Sequence, residues 1–128
     1  MGNVVVDTNV IVSGFKSPNG NPAKIVDMIK NLQLTACYNA EILNEYQKVL
    51  ARPHFNFSKE DRKNFLAVVI EYGLLHEPPK STFPMIDEKD RCFYDVAVYF
   101  GAKLITGNMK HYPVEGFVVS PTGFLADL

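Results

Sequence analysis

No stretch of this chain approaches the roughly 18 to 20 consecutive apolar residues that a membrane-spanning helix needs. The first apolar run, Val4-Val5-Val6, follows Met1-Gly2-Asn3 and has neither the length nor the basic flank of a secretory signal. A cytoplasmic protein with no membrane partner is the expectation. Cysteine is scarce: Cys37 and Cys92 are the two in the chain, with no CxxC spacing and no histidine beside them, so they read as buried free thiols in a reducing compartment. An excess of either charge is also missing. Thirteen Lys and Arg stand against fourteen Asp and Glu, a net charge of −1. No overall positive field therefore recruits nucleic acid, and phosphate binding would need local patches or bound cations. Neither GxxxxGK[ST] nor GxGxxG occurs, which removes the phosphate cradles of P-loop and dinucleotide folds. What the chain does have is 128 residues, 47% hydrophobic and 21% charged, enough to close one core as a single domain over residues 1–128.

Hydrophobic spacing alternates between strand and helix patterns from end to end. Val4-Val5-Val6 is a buried strand stopping in a polar turn at Asp7-Thr8-Asn9, with Lys16 in the loop that follows. Turn formers crowd Ser17-Pro18-Asn19-Gly20-Asn21-Pro22, where Asn21 is predicted to cap a helix and Pro22 to open it. Ile25, Val26, Met28, Ile29 and Leu32 then share a broad stripe. Leu34 to Tyr38 is a second strand, and Asn39 caps a helix in which Ile42, Leu43, Tyr46, Val49 and Leu50 recur at helical spacing until Arg52-Pro53. Ser58-Lys59-Glu60-Asp61 resembles a capping box before a helix expected to bury Phe65, Leu66, Val69 and Ile70, closed by Gly73. A short strand at Leu74-Leu75-His76 precedes a proline-rich loop over residues 78–84. Asp87-Glu88-Lys89-Asp90 leads into a helix carrying Phe93, Tyr94, Ala97, Val98 and Phe100, stopped by Gly101. Strands at 103–106 and 117–120 and a short helix after Pro121 complete the pattern. Such alternation predicts a mostly parallel sheet covered on both faces. In that architecture the functional crevice lies beyond the carboxyl ends of the strands, where Asp7 and Asn108 fall.

Taken singly, the acidic residues have ordinary explanations. Asp7 is a turn carboxylate after a strand, Glu45 a solvated helix charge, and Asp90 a cap in the favourable field of a helix N-terminus. Together they could converge as an acidic pocket. Like charges so placed persist when a cation neutralises them or some stay protonated. Oxygen-only ligands point to Mg2+ or Mn2+, and the missing Cys/His set argues against structural zinc.

These residues resemble a known family. Val4-Val5-Val6-Asp7-Thr8-Asn9-Val10 closely resembles the opening of PIN-domain ribonucleases. Glu41-Ile42-Leu43-Asn44-Glu45-Tyr46 is similar to the segment bearing that family's second acid, and Asp87-Glu88-Lys89-Asp90-Arg91-Cys92-Phe93 to the one bearing the third. Lys103-Leu104-Ile105-Thr106-Gly107-Asn108 resembles the strand and turn that in the family end in Thr-Gly-Asp, with Asn108 in place of the fourth acid. Pro121-Thr122-Gly123-Phe124-Leu125 resembles the ending found among toxin components of toxin–antitoxin pairs. The resemblance implies a three-layer α/β/α sandwich that cleaves RNA internally with Mg2+ or Mn2+. It places the ion on Asp7, Glu45 and Asp90, with Thr8, Asn9, Thr106 and Asn108 in support. An antitoxin partner and a homodimer are implied as well.

An amide at position 108 brings no charge, and Asp87 or Asp95 could substitute in part, although surface charge is the simpler role for both. Lys16, Arg52, Lys110 and His111 are candidate phosphate contacts. Phe15 and Tyr38 are aromatic candidates for base stacking or for the core. A haloacid-dehalogenase-type phosphatase is excluded because Asp7-Thr8-Asn9 lacks its second carboxylate. A receiver domain would need an acceptor Asp at a central strand end that has no clear place here. The remaining rival is a catalytically weakened PIN-like module that binds RNA or protein.

Overall fold

The computed structural model describes residues 2–128. Five strands form one sheet in the order β3-β2-β1-β4-β5, and every pairing is parallel. Strand β1 (Gly2–Val6) lies at the centre, where Val4, Val5 and Val6 are at most 1% exposed, as expected of a strand covered on both faces. It is flanked by β2 (Leu34–Tyr38) and β4 (Lys103–Ile105), while β3 (Leu74–Leu75) and β5 (Val118–Val119) form the edges. Successive connections leave β1 on opposite sides, so the switch point of the sheet falls between β1 and β4.

Helix α5 (Arg91–Phe100) packs across β1, β2 and β4. The helices α1 (Thr8–Lys16), α2 (Asn21–Lys30), α3 (Ala40–Leu50), α4 (Lys59–Tyr72) and α6 (Pro121–Ala126) pack among themselves, with α2 and α4 also resting on β2. The result is the three-layer α/β/α sandwich that the resemblance implies, built on the parallel sheet that the alternating pattern predicts. No helix among the described residues is long and apolar enough to cross a membrane. Caps sit where the sequence places them for α3 and α4: Asn39 Oδ1 accepts from Ile42 N at 2.8 Å and Ser58 Oγ from Asp61 N at 3.0 Å.

Several expectations need correction. The polar turn at Asp7-Thr8-Asn9 is the start of α1, so Lys16 ends a helix and is not in a loop. Two polar residues and a following turn cluster mask a short helix whose buried positions are Thr8, Val10, Ile11 and Gly14. Gly20, not Asn21, is the N-cap of α2. Leu32 leaves the predicted stripe: it lies beyond α2 in the left-handed region at φ 62° and is 53% exposed, because Gln33 N turns back to Met28 O to close the helix. Helix α4 buries only Phe65 and Val69, leaving Leu66 half-buried and Ile70 exposed, and Val98 of α5 is exposed too.

Gly73 ends α4 for a reason other than left-handed backbone, since its φ is −76°. A Cβ there would stand 2.7 Å from Ala36 O and 2.9 Å from Tyr38 Cε1, so the close approach of β2 demands glycine. Tyr38 and Phe15 belong to the interior: Tyr38 is buried, and Phe15 meets Phe57 and Phe65 with ring centroids 5.3 and 5.8 Å apart. Cys37 and Cys92 are both free and buried.

Candidate functional site

Asp7 is the first residue beyond β1. Its N–H extends the ladder to Ile105 O at 2.9 Å, fixing the residue at the mouth of the β1–β4 switch. It occupies the N-cap position of α1, yet its side chain makes no cap bond. Instead Oδ2 accepts from two hydroxyls, Thr106 Oγ1 and Tyr112 OH, each at 2.9 Å. Thr106, just past β4, is fully buried and accepts in turn from Asn108 N at 3.0 Å. A backbone N–H, a threonine hydroxyl and a carboxylate thus form one directed chain. Asn9 adds a parallel tie, its Oδ1 accepting from Gly107 N at 3.0 Å, so the turn after β4 is fastened to the start of α1.

Glu45 comes from α3, one residue before Tyr46, whose hydroxyl donates to Val6 O at the end of β1. That bond sets the carboxyl half of α3 against the strand that delivers Asp7. Asp90 closes a turn of 3-10 helix (Glu88–Asp90) in front of α5, and its Oδ2 is buried without a hydrogen bond. The imidazole Nδ1 of His111 stands 3.6 Å away, beyond hydrogen-bond distance. Burial, with the charges of Asp7 and Asp87 behind it, pushes the Asp90 carboxyl up to about 6, against the pull of His111.

These side chains line one cleft of about 280 Å³, bounded by Asp7, Thr8, Asn9, Glu45, Asp90, Asn108 and His111 together with Glu41, Asp87, Lys89, Cys92 and Phe93. Thr106 stands behind Asp7. Lys16, Arg52 and Lys110 are not in the lining; Lys16 Nζ instead sits 4.7 Å from the centre of the Phe55 ring. Asp95 is neither in the cleft nor on the surface, because it is buried and its Oδ2 accepts from Ser81 N at 2.9 Å, anchoring the proline-rich loop. Sequence reasoning missed Glu41 and Tyr112. Glu41 lies four residues before Glu45 on one helix, a spacing that could have revealed it. Tyr112 carries no such local signal. Burial and the neighbouring Asp7 and Asp90 carboxylates raise its phenol well above the ordinary tyrosine value, so it is a hydrogen-bond donor at any physiological pH.

The donor chemistry fits a hard cation. Two buried oxygens in the cleft, Asp90 Oδ2 and Thr8 Oγ1, lack hydrogen-bond partners, and Glu41, Glu45 and Asp87 stand around them with Lys89. Among the described residues no three His, Cys, Asp or Glu side chains gather closely enough to enclose an ion alone. An ion held by these oxygens would keep part of its water shell and take few carboxylates, as Mg2+ does.

Fold and cleft together define an α/β protein with an acidic crevice at the carboxyl edge of its sheet. The family model of the PIN domain matches residues 3–110, and the chain belongs to the PIN-domain family. Members of that family are generally nucleases and typically use divalent metals. The chain is 30% identical over 108 residues to an uncharacterized protein of Methanocaldococcus jannaschii, across 82% of this chain and 70% of that protein. In fold it is similar to a chain in the crystal structure of VapBC2 from Rickettsia felis bound to a DNA fragment from their promoter. That match has a TM-score of 0.58 at 16% identity, over 92% of this chain and 96% of the other.

Proposed function

We propose that this chain is a metal-dependent endoribonuclease that hydrolyses RNA phosphodiester bonds, working as one nuclease domain over residues 1–128. The observation that carries the reading is the convergence of Asp7, Glu45 and Asp90, from three separate elements, on one cleft at the switch point of a parallel sheet. In this reading the three carboxylates hold Mg2+ or Mn2+. The bound ion supplies positive charge against the phosphate and makes water more acidic. Thr106 keeps Asp7 in place, Asn9 holds the turn at Gly107, and Thr8, whose hydroxyl has no protein partner, is available to a water or a phosphate oxygen. Asn108 offers an amide oxygen without charge. Lys89 and the imidazole of His111 are the nearest hands in the cleft for the scissile phosphate, while Lys16, Arg52 and Lys110 could meet only RNA lying outside it. The purified protein should cut RNA with Mn2+ or Mg2+, stop with a chelator, and lose cleavage as Asp7→Asn.

The same reading makes the chain the toxin of a toxin–antitoxin pair in the cytoplasm, with an antitoxin protein as partner and a homodimer as its assembly. Two things support it: the resemblance of Pro121-Thr122-Gly123-Phe124-Leu125 to toxin endings, and the likeness in fold to a chain of VapBC2. Growth arrest on expression of the chain alone, absent with Asp7→Asn, tests this. Asn108 favours a second reading, a PIN-like module that binds RNA or protein after losing full metal affinity. Wild-type protein that retains RNA without cutting it at any metal concentration would establish that alternative.

A further inference from the structure

We propose that Tyr112 is a positioning residue for the metal-binding carboxylate Asp7, a role that rests on the nuclease reading above. Tyr112 is 105 positions from Asp7 in sequence, buried, and places its hydroxyl 2.9 Å from Asp7 Oδ2. Thr106 donates to that same oxygen. Two donors on one carboxylate oxygen hold the anion in a single orientation and leave Oδ1 outside both bonds. An aspartate at an N-cap ordinarily accepts from its own helix, which would draw the carboxylate back over α1. Here it does not, although the N-cap geometry is present. The two hydroxyls are what compete with the cap.

Their origins matter as much as their number. Thr106 directly follows β4, whereas Tyr112 lies beyond the 3-10 turn Met109–His111 that carries His111 along the cleft. That turn is therefore fastened at both ends to the same aspartate, through Asn108 N on Thr106 and through Tyr112 OH directly. Partners behind a metal ligand fix its orientation and basicity, and their removal typically costs between about 10- and 100-fold in metal affinity.

The test is Tyr112→Phe, which keeps the ring in its buried place and deletes only the donor. Mn2+ affinity by titration calorimetry should fall about tenfold, with the melting transition still cooperative. Tyr94→Phe is the control: this hydroxyl lies 3.5 Å from Glu115 and outside the cleft, so affinity should stay at the wild-type value. A second measurement needs neither metal nor activity. In a urea-unfolding cycle of metal-free protein, Tyr112→Phe and Asp7→Ala should be non-additive, because each removes the same bond. A structural role for the ring alone would leave Mn2+ affinity unmoved and the two effects additive, and that result overturns the proposal. Wild-type protein that binds no Mn2+ overturns the nuclease reading together with it. Wild-type protein that binds Mn2+ no better than Tyr112→Phe overturns the role of Tyr112 alone.

Discussion

At the scale of single residues the cleft is a set of acids with two kinds of support. Asp7 is held by hydroxyls, whereas Asp90 is left with a bare buried oxygen. The difference shows in how each responds to pH. Burial and the nearby Asp7 and Asp87 raise the Asp90 carboxyl from its ordinary 3.8 to about 6. Between those values the folded protein keeps a proton that the unfolded chain has released, so this group favours folding at low pH and its contribution is lost as pH rises through about 6. Metal-free Asp90→Asn should therefore be more stable than wild type at pH 7 and should lose that advantage by pH 4. Urea unfolding across that range decides it, and parallel pH profiles for the two proteins would refute it. Asn108 poses the converse question. It is nearly the size of Asp but uncharged, so Asn108→Asp should deepen the well for a cation, tighten Mn2+ binding and raise RNA cleavage most at low metal. Metal-titrated cleavage rates without gain at any concentration would show that Asn108 already serves as a ligand or orients water.

At the scale of elements, two glycines end two helices for different physical reasons. Gly101 closes α5 at φ 61° with open space around its missing side chain, so Gly101→Ala costs only the left-handed backbone, about 1 kcal/mol. Gly73 closes α4 in ordinary backbone but against Val69 O, Ala36 O and Tyr38, none of which can yield far. Gly73→Ala should cost about 3 kcal/mol, the upper end for overpacking. Chemical denaturation of both variants would reverse this ranking if the packing of α4 on β2 were loose. The helix stops themselves are legible in the sequence, because glycine after an amphipathic run is a local signal. Which glycine is held by its φ and which by its neighbours is not, since β2 lies more than thirty residues before Gly73. The missed α1 has the same cause: its helical content is short, and only packing against α2 and α3 makes it a helix.

At the scale of the whole molecule, an ion held by Asp7, Glu45 and Asp90 would link the end of β1, α3 and the start of α5, so its binding should stabilise the entire fold. At a hundredfold excess over its dissociation constant, a ligand specific for the folded state adds about 2.7 kcal/mol. Mn2+ should raise the melting temperature of wild type, and the rise should shrink in Asp7→Ala, Glu45→Ala and Asp90→Ala while the metal-free forms stay folded. Equal shifts in all four proteins would remove the three acids from the site. Self-association belongs to this scale too. Edge strand β3 leaves Leu74 and Leu75 exposed, and α4 leaves Ile70 and Tyr72 exposed. Sedimentation should find a species larger than the monomer, and monomer at every concentration would count against the homodimer.

The sequence by itself determined the alternation of strands and helices, the caps Asn39 and Ser58, and the placing of Asp7 and Asp90 at element ends. Each of these rests on residues within one turn or one strand of each other, where periodicity and turn chemistry act directly. Only the tertiary structure decided that Tyr112 and Thr106 share one oxygen of Asp7, that Glu41 joins the cleft, and that Asp95 is buried beneath the proline-rich loop. The hydroxyl contacts join groups about a hundred residues apart, brought together by the parallel pairing of β1 with β4. No local pattern can encode such a contact, because it exists only once the sheet has set which strand ends are neighbours.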